Sequence, residues 1–296
     1  MDLPRPGIHV SNESLSTHEV GGGKPVPIAC DLKFPEAPRW HDGALWLSDQ
    51  LGGHVLRVAG DATSVVVDVD QPSGLGFLSD GTLRVAVIEP PRVIDVSSGT
   101  ISSDSADLAT FGRRLNDLVV DALDRTYVDV YQNYRGEPDS ALVLLDQRRG
   151  PRVVADGLAF PNGVAVTPDG ATLIVSETYG ERLSAFDVAA DGSLDNRRVW
   201  APLPGMHPDG LCLDADGAAW IANYLDGEFL RVTEGGTVQQ RIAFPGRWAL
   251  SCCLGGEDGR SLFCCTAETS HRDYRNGVAR GYVDEYRVDV ESVGCP

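Results

Sequence analysis

The sequence predicts an all-β fold, a six-bladed β-propeller with four-stranded antiparallel blades around a central channel, and three observations carry that expectation. A phrase of polar residue, glycine, apolar run, Asp-Gly turn and second apolar run occurs at Asp209–Asn223 and again at Asn162–Val175. Shorter forms of it surround Gly43, Gly81, Asp124 and Gly259, which makes six copies whose turn positions lie 38 to 47 residues apart. A period near forty built only from strand signals is that of propeller blades. Finally, no window sustains a helical period, while 33 glycines, 18 prolines and short runs rich in Val, Leu and Thr suit many turns and short strands.

Taken in order, residues 1–23 have no periodicity and read as a flexible N-terminal arm, and residues 24–296 read as a single propeller. The segment 24–31 has strand character but precedes the first complete copy. Blade one is expected at 36–41, 44–49, 54–59 and 63–69, and blade two at 73–79, 82–88, 91–97 and 101–109. Blade three opens at 115–121, blade four runs from Asn162 to Trp200, and blade five from Asp209 to Phe244. Blade six has strands at 248–254, 261–267 and 281–288 and no sequence left for a fourth. The segment 24–31 is therefore expected to pair with 281–288, closing the ring and covering an open edge. Two loops joining second to third strands, 132–139 and 268–276, are long and lie on the face where the inner strands begin. They read either as a lid over the channel mouth or as surface loops without a role.

A net charge of −18, from 43 acids against 25 bases, speaks against a phosphate backbone or an anionic membrane as partner. The first residues lack the apolar core of a signal peptide and no run approaches membrane-spanning length, so a cytoplasmic monomer or weak homo-oligomer with a small-molecule substrate is expected. Cys252-Cys253 and Cys264-Cys265 are adjacent pairs on strands, where neighbours point to opposite faces. They read as small buried side chains, not as a zinc site or a disulfide framework.

Eight residues before each turn position stand Ser73, Asn116, Asn162, Asp209 and Ser251, and seven before Gly43 stands Glu36. In a radial array these positions share one height and converge on the channel. Glu36, Asn116, Asn162 and Asp209 supply two carboxylates and two amide oxygens, a hard-oxygen set suited to calcium, with magnesium or manganese as substitutes and zinc less natural. Asn162-Gly163 and Asp209-Gly210 also read simply as turn formers at strand ends, an account that leaves Glu36 unexplained.

The motifs Phe34-Pro35-Glu36-Ala37-Pro38-Arg39-Trp40, Arg114-Leu115-Asn116-Asp117, Phe160-Pro161-Asn162-Gly163 and His207-Pro208-Asp209-Gly210 resemble the four signatures of the SMP-30/gluconolactonase/luciferin-regenerating enzyme family, in order and at matching blade positions. The resemblance implies a six-bladed propeller with one divalent metal in its channel and lactone hydrolysis as the activity. It implies Glu36, Asn162 and Asp209 as metal ligands, with Asn116 reaching the metal. Asp209 would also be the general base, and Arg114 and Asn116 substrate contacts; His207, at the matching position two residues before Asp209, reads as a proton carrier or substrate contact or as a packed or exposed histidine beside proline. Tyr131, Tyr134, Glu177, Tyr179, Asn223, Tyr224 and His271 fall on the channel-face loops as pocket candidates, while Trp40, Trp46, Trp220 and Trp248 are expected to pack between blades. Leu118 replaces the family's usual glycine, and Asp129-Val130 its small Gly-Thr pair. These departures bear on the substrate more than on the metal. Two further functions fit the same scaffold: a non-hydrolytic metal-dependent cyclase or isomerase, and a propeller binding module.

Overall fold

The computed structural model describes residues 23–133, 136–146 and 149–294. The arm read at 1–23 lies outside them except for Gly23, as does Tyr134. The first strand, β1 (Val26–Leu32), precedes six blades. Blade one is β2 (Pro35–His41), β3 (Ala44–Asp49), β4 (His54–Ala59) and β5 (Ala62–Asp68); blade two is β6 (Pro72–Phe77), β7 (Leu83–Val87), β8 (Arg92–Ser97) and β9 (Thr100–Asp107). Blade three is β10 (Arg114–Val120), β11 (Thr126–Tyr131), β12 (Ser140–Leu145) and β13 (Arg152–Leu158); blade four is β14 (Pro161–Val166), β15 (Thr172–Glu177), β16 (Arg182–Val188) and β17 (Leu194–Pro202). Blade five is β18 (Pro208–Leu213), β19 (Ala219–Asn223), β20 (Glu228–Val232) and β21 (Val238–Ala243). Blade six supplies β22 (Trp248–Gly255), β23 (Ser261–Glu268) and β24 (Arg280–Arg287).

Its fourth strand is β1, which pairs antiparallel with β24 from Val26 opposite Glu285 to Leu32 opposite Gly281. The ring therefore closes as the shortage of sequence in the last repeat required. Among the described residues every sheet has four antiparallel strands, and the inner strands β2, β6, β10, β14, β18 and β22 pack each on the next around the axis.

The apolar cores lie between blades. Leu78, Val93, Leu118, Val128 and Val143 unite blades two and three; Leu183, Ala201, Leu211, Ile221 and Leu230 unite four and five; Leu45, Leu56, Phe263, Cys265 and Val283 unite six and one. Each blade buries both faces, which is why a second strand such as Leu83–Val87 is buried at every position, Arg84 included, and does not alternate. Trp220 is wholly buried in the core between blades five and six, and Trp40 and Trp46 pack against neighbouring cores. Cys252, Cys253, Cys264 and Cys265 are buried free thiols in these layers. No helix among the described residues is long and apolar enough to cross a membrane.

Candidate metal and substrate site

The repeat positions singled out in the sequence coincide with a backbone irregularity. In each inner strand, pairing with the second strand breaks register between Glu36 and Arg39, Pro72 and Leu75, Leu115 and Leu118, Pro161 and Val164, Pro208 and Leu211, and Ala249 and Ser251. A bulge takes a residue out of the ladder and re-aims its side chain. At Asn162 and Asp209 the following glycine has a steric cause. A Cβ on Gly163 would lie 2.5 Å from the Leu211 nitrogen, and one on Gly210 would lie 2.1 Å from Ser251 Oγ. Both pairs sit inside strands β14 and β18, so the turn-former account does not apply to them.

Acceptors on the second strands hold the chain leading into three of the inner strands and, in blade three, the bulge itself. The Asp49 carboxylate accepts the amides of Lys33, Phe34 and Gly52; Asp129 accepts those of Asn116 and Asp117 at 2.8 and 3.0 Å; Glu177 accepts that of Ala159 at 2.9 Å; and Asn223 Oδ1 accepts that of His207 at 2.9 Å. Asp129, where the family has a small residue, thus clamps the blade-three bulge directly.

At the axis, Glu36, Asn162 and Asp209 are buried and Asn116 is half-buried. The Asn162 amide lies beside the Asp209 carboxylate and favours its charged form. Ser73 Oγ donates to Asn116 Oδ1 at 3.1 Å. Burial and the nearby Asp117 carboxylate push Glu36 up to about 8, and burial with Glu36, Asp117 and Asp129 around it raises Asp209 well above the usual carboxylate range. Asp117 and Asp129 are raised by burial too. Arg39 reaches Asp117 Oδ1 at 3.2 Å and the Leu118 carbonyl at 2.8 Å. Beneath it, a cavity of about 60 Å³ is lined by Val164, Leu211, Cys212, Cys252 and Val293 among others, so the far end of the channel is apolar.

A hard divalent cation fits this donor set. Asp209 Oδ1 is buried with no hydrogen-bond partner, and Glu36 accepts only the adjacent Ala37 amide among the hydrogen bonds described. Asp117 and Asp129 are already engaged. No group of three or more His, Cys, Asp or Glu side chains is arranged to hold a metal among the described residues, so the converging set is two carboxylates with amide oxygens.

The remaining predicted contacts surround the mouth. Arg114 is ion-paired with Glu89 at 2.7 Å. His207 is half-buried, its ring 6.3 Å from that of Tyr179. Tyr131 is buried against Phe160, while Tyr179 is 37% exposed. Tyr224 packs between Trp248 and His271, with ring centroids at 4.7 and 6.1 Å. The loop at 268–276 contains a short helix, α1 (His271–Arg275), capped by Ser270. From it Tyr274 donates to Gln50 Oε1 at 2.5 Å and packs its ring at a tilt against Phe34, centroids 4.7 Å apart, tying blade six to blade one over the mouth. Glu177 and Asn223, read as pocket candidates on loops, instead close strands β15 and β19 and are spent on the clamps just described. Sequence reasoning missed Asp117, Arg39 and Glu89, and read Asp129 as bearing on the substrate where it holds the backbone of blade three. Asp117 and Arg39 stood within the quoted motifs, whereas nothing local marked Glu89.

Residues 34–268 match the family model described as the SMP-30/Gluconolactonase/LRE-like region. The chain belongs to this family. Among its relatives, a 6-deoxy-6-sulfogluconolactonase of Pseudomonas putida is 28% identical over 283 residues, covering 90% of this chain and 96% of that one. A pentonolactonase of Haloferax volcanii is 27% identical over 285 residues, covering 92% and 95%. In structure, a luciferin-regenerating enzyme superimposes with a TM-score of 0.80 at 17% identity, over 93% of this chain and 98% of that one, and so shares the fold.

Proposed function

We propose that this protein is a divalent-metal-dependent lactonase, with calcium as the metal. The observation that carries this is the unpartnered, buried Asp209 oxygen beside Glu36, in a pocket where burial and like charge raise both carboxylates. The lactonase names of relatives that match nearly the whole chain support the reaction class. Glu36, Asn162 and Asp209 would hold the cation, with Asn116 beside them. Once bound, it would polarise the ester carbonyl and offset charge developing on its oxygen.

The chain's own groups do the proton work. Asp209, beside the Asn162 amide, takes a proton from the water that attacks the carbonyl carbon. The acyl–oxygen bond of the ring then breaks, and Asp209 returns the proton to the departing ring oxygen, leaving a hydroxy acid. Arg114, Asn116, His207, Tyr131, Tyr179 and Tyr224 shape and position the substrate. Acid release from a panel of five- and six-membered lactones, with calcium and with chelator, tests the proposal. Calcium-dependent acid release is expected. No release above the spontaneous rate from any lactone would overturn it and favour a non-hydrolytic rearrangement on the same scaffold.

A further inference from the structure

The channel mouth has two unlike sides. On the side of blades four to six it presents aromatic side chains in tilted and edge-on contact with one another: Tyr179 between Phe160 and His207, and Tyr224 between Trp248 and His271. Trp248 and His271 are also in contact, with centroids 4.9 Å apart. Tyr179 and His271 are exposed and His207 and Tyr224 half-buried, so these rings can be reached from solvent. Gly136 backs the wall, since a Cβ there would lie 2.5 Å from Tyr179 Cβ. The wall stands over the axis. The Tyr224 phenol is kept protonated by burial and by the nearby Asp209, Tyr179, Tyr274 and Glu36.

On the side of blades two and three stands the Glu89–Arg114 pair at 2.7 Å, with side chains 53% and 30% exposed. The guanidinium that would meet an anionic substituent already faces a carboxylate. An entering anion would have to displace Glu89 and then lie above the Glu36, Asp117, Asp129 and Asp209 carboxylates. A polyhydroxylated ring needs a hydrogen-bond partner for most of its hydroxyls, or burying them is unfavourable. A cluster of solvent-reachable aromatic rings rewards a flat apolar body instead.

We propose that the substrate is an uncharged lactone with a flat apolar body, such as an aryl-fused ring, lying against Tyr179, His207, Tyr224, Trp248 and His271, and that Glu89 refuses anionic lactones by holding Arg114. This rests on the lactonase reading, and the experiment separates the two. The calcium-loaded full chain is assayed with dihydrocoumarin, gluconolactone and 6-phosphogluconolactone. A kcat/KM for dihydrocoumarin at least about tenfold above both sugar lactones is expected. Equal or better turnover of either sugar lactone overturns the inference and leaves the lactonase reading standing.

Calorimetric titration with 3,4-dihydroquinolin-2-one, the lactam counterpart, reads binding without turnover. It is expected to bind, and Tyr179→Ala and His271→Ala, both at exposed positions, should each weaken it by about three- to tenfold. Lactam binding with no lactone hydrolysed would uphold the substrate class and sink the hydrolytic reading, whereas absence of lactam binding overturns the inference whatever the hydrolysis results. In Glu89→Gln the ratio of 6-phosphogluconolactone to dihydrocoumarin kcat/KM should rise about tenfold. An unmoved ratio removes Glu89 from the proposal.

Discussion

Glu177 and Glu36 are both glutamates withdrawn from water, one closing β15 and the other at the bulge of β2, yet they bind protons at opposite ends of the scale. Glu177 receives Arg182, Arg197, Ser184 and the Ala159 amide, and despite its burial these hydrogen bonds hold it down to about 2. Glu36 has burial and Asp117 working against its charge and is pushed up to about 8. Burial alone therefore does not mark a functional acid. The partners supplied do, because an acid whose donors come from its own fold is finished, whereas Glu36 and Asp209 lack such a set of donors and, in the function proposed above, would take a cation instead.

The largest expected effect falls on the unfinished side. Asp209→Asn retains shape and one ligand oxygen but removes the base, so kcat should fall by about a hundredfold to ten-thousandfold while calcium affinity falls less. Near-normal kcat with calcium bound would strip Asp209 of the proton-transfer role.

On the finished side, Glu177→Gln should act on stability. A depression from 4.5 to about 2 corresponds to at most about 3 kcal/mol, and to less in practice because Arg182 and Arg197 are about a third exposed. Its folded value is the depressed one. The contribution is therefore complete above the unfolded value and is lost as pH falls through about 2. Urea midpoints of wild type and Glu177→Gln should differ most near neutrality and draw together below pH 4.5; a gap constant down to pH 2 would mean that the loss is one of packing.

Calcium removal should act through the axis alone. At a calcium concentration a hundredfold above Kd, chelation withdraws about 2.7 kcal/mol of native-state stabilisation, and melting should shift accordingly. Unchanged melting of protein shown to be calcium-loaded would contradict the site. Smaller still, Gly210→Ala should destabilise by about 1–3 kcal/mol, because its Cβ would meet Ser251, and should weaken calcium binding by moving Asp209. Thermal melts and calcium titration of that variant test both parts.

Much of this arrangement is legible in one sequence, and the boundary is physical. Repeats expose whatever is periodic: the six turns, the shortage in the last blade and the six polar positions at one height. They do not expose the bulges, which leave the residue order unchanged and alter only pairing. Nor do they show partners acquired across blades or along a hairpin. Glu177 looked like a pocket residue because the guanidiniums that engage it lie 5 and 20 positions further on. Arg114 suggested an anion contact because Glu89 comes from the preceding blade. The helix α1 is only five residues long, too short to impose a period on the loop that contains it.

The seam between β1 and β24 gives the ring a mechanical weak point. Val26 stands opposite Glu285 and Leu32 opposite Gly281, so the chain leaves the pair in both directions at the same end. The tail beyond β24 is fastened to blade five by the bridge from Ser292 to Asp214. Force applied between residues 24 and 290 would load this pair like a zip, one rung at a time and not all rungs in shear. The ring should yield there at low tension and expose the β24 edge, while the other five blades, each drawn from one continuous stretch of chain, remain folded.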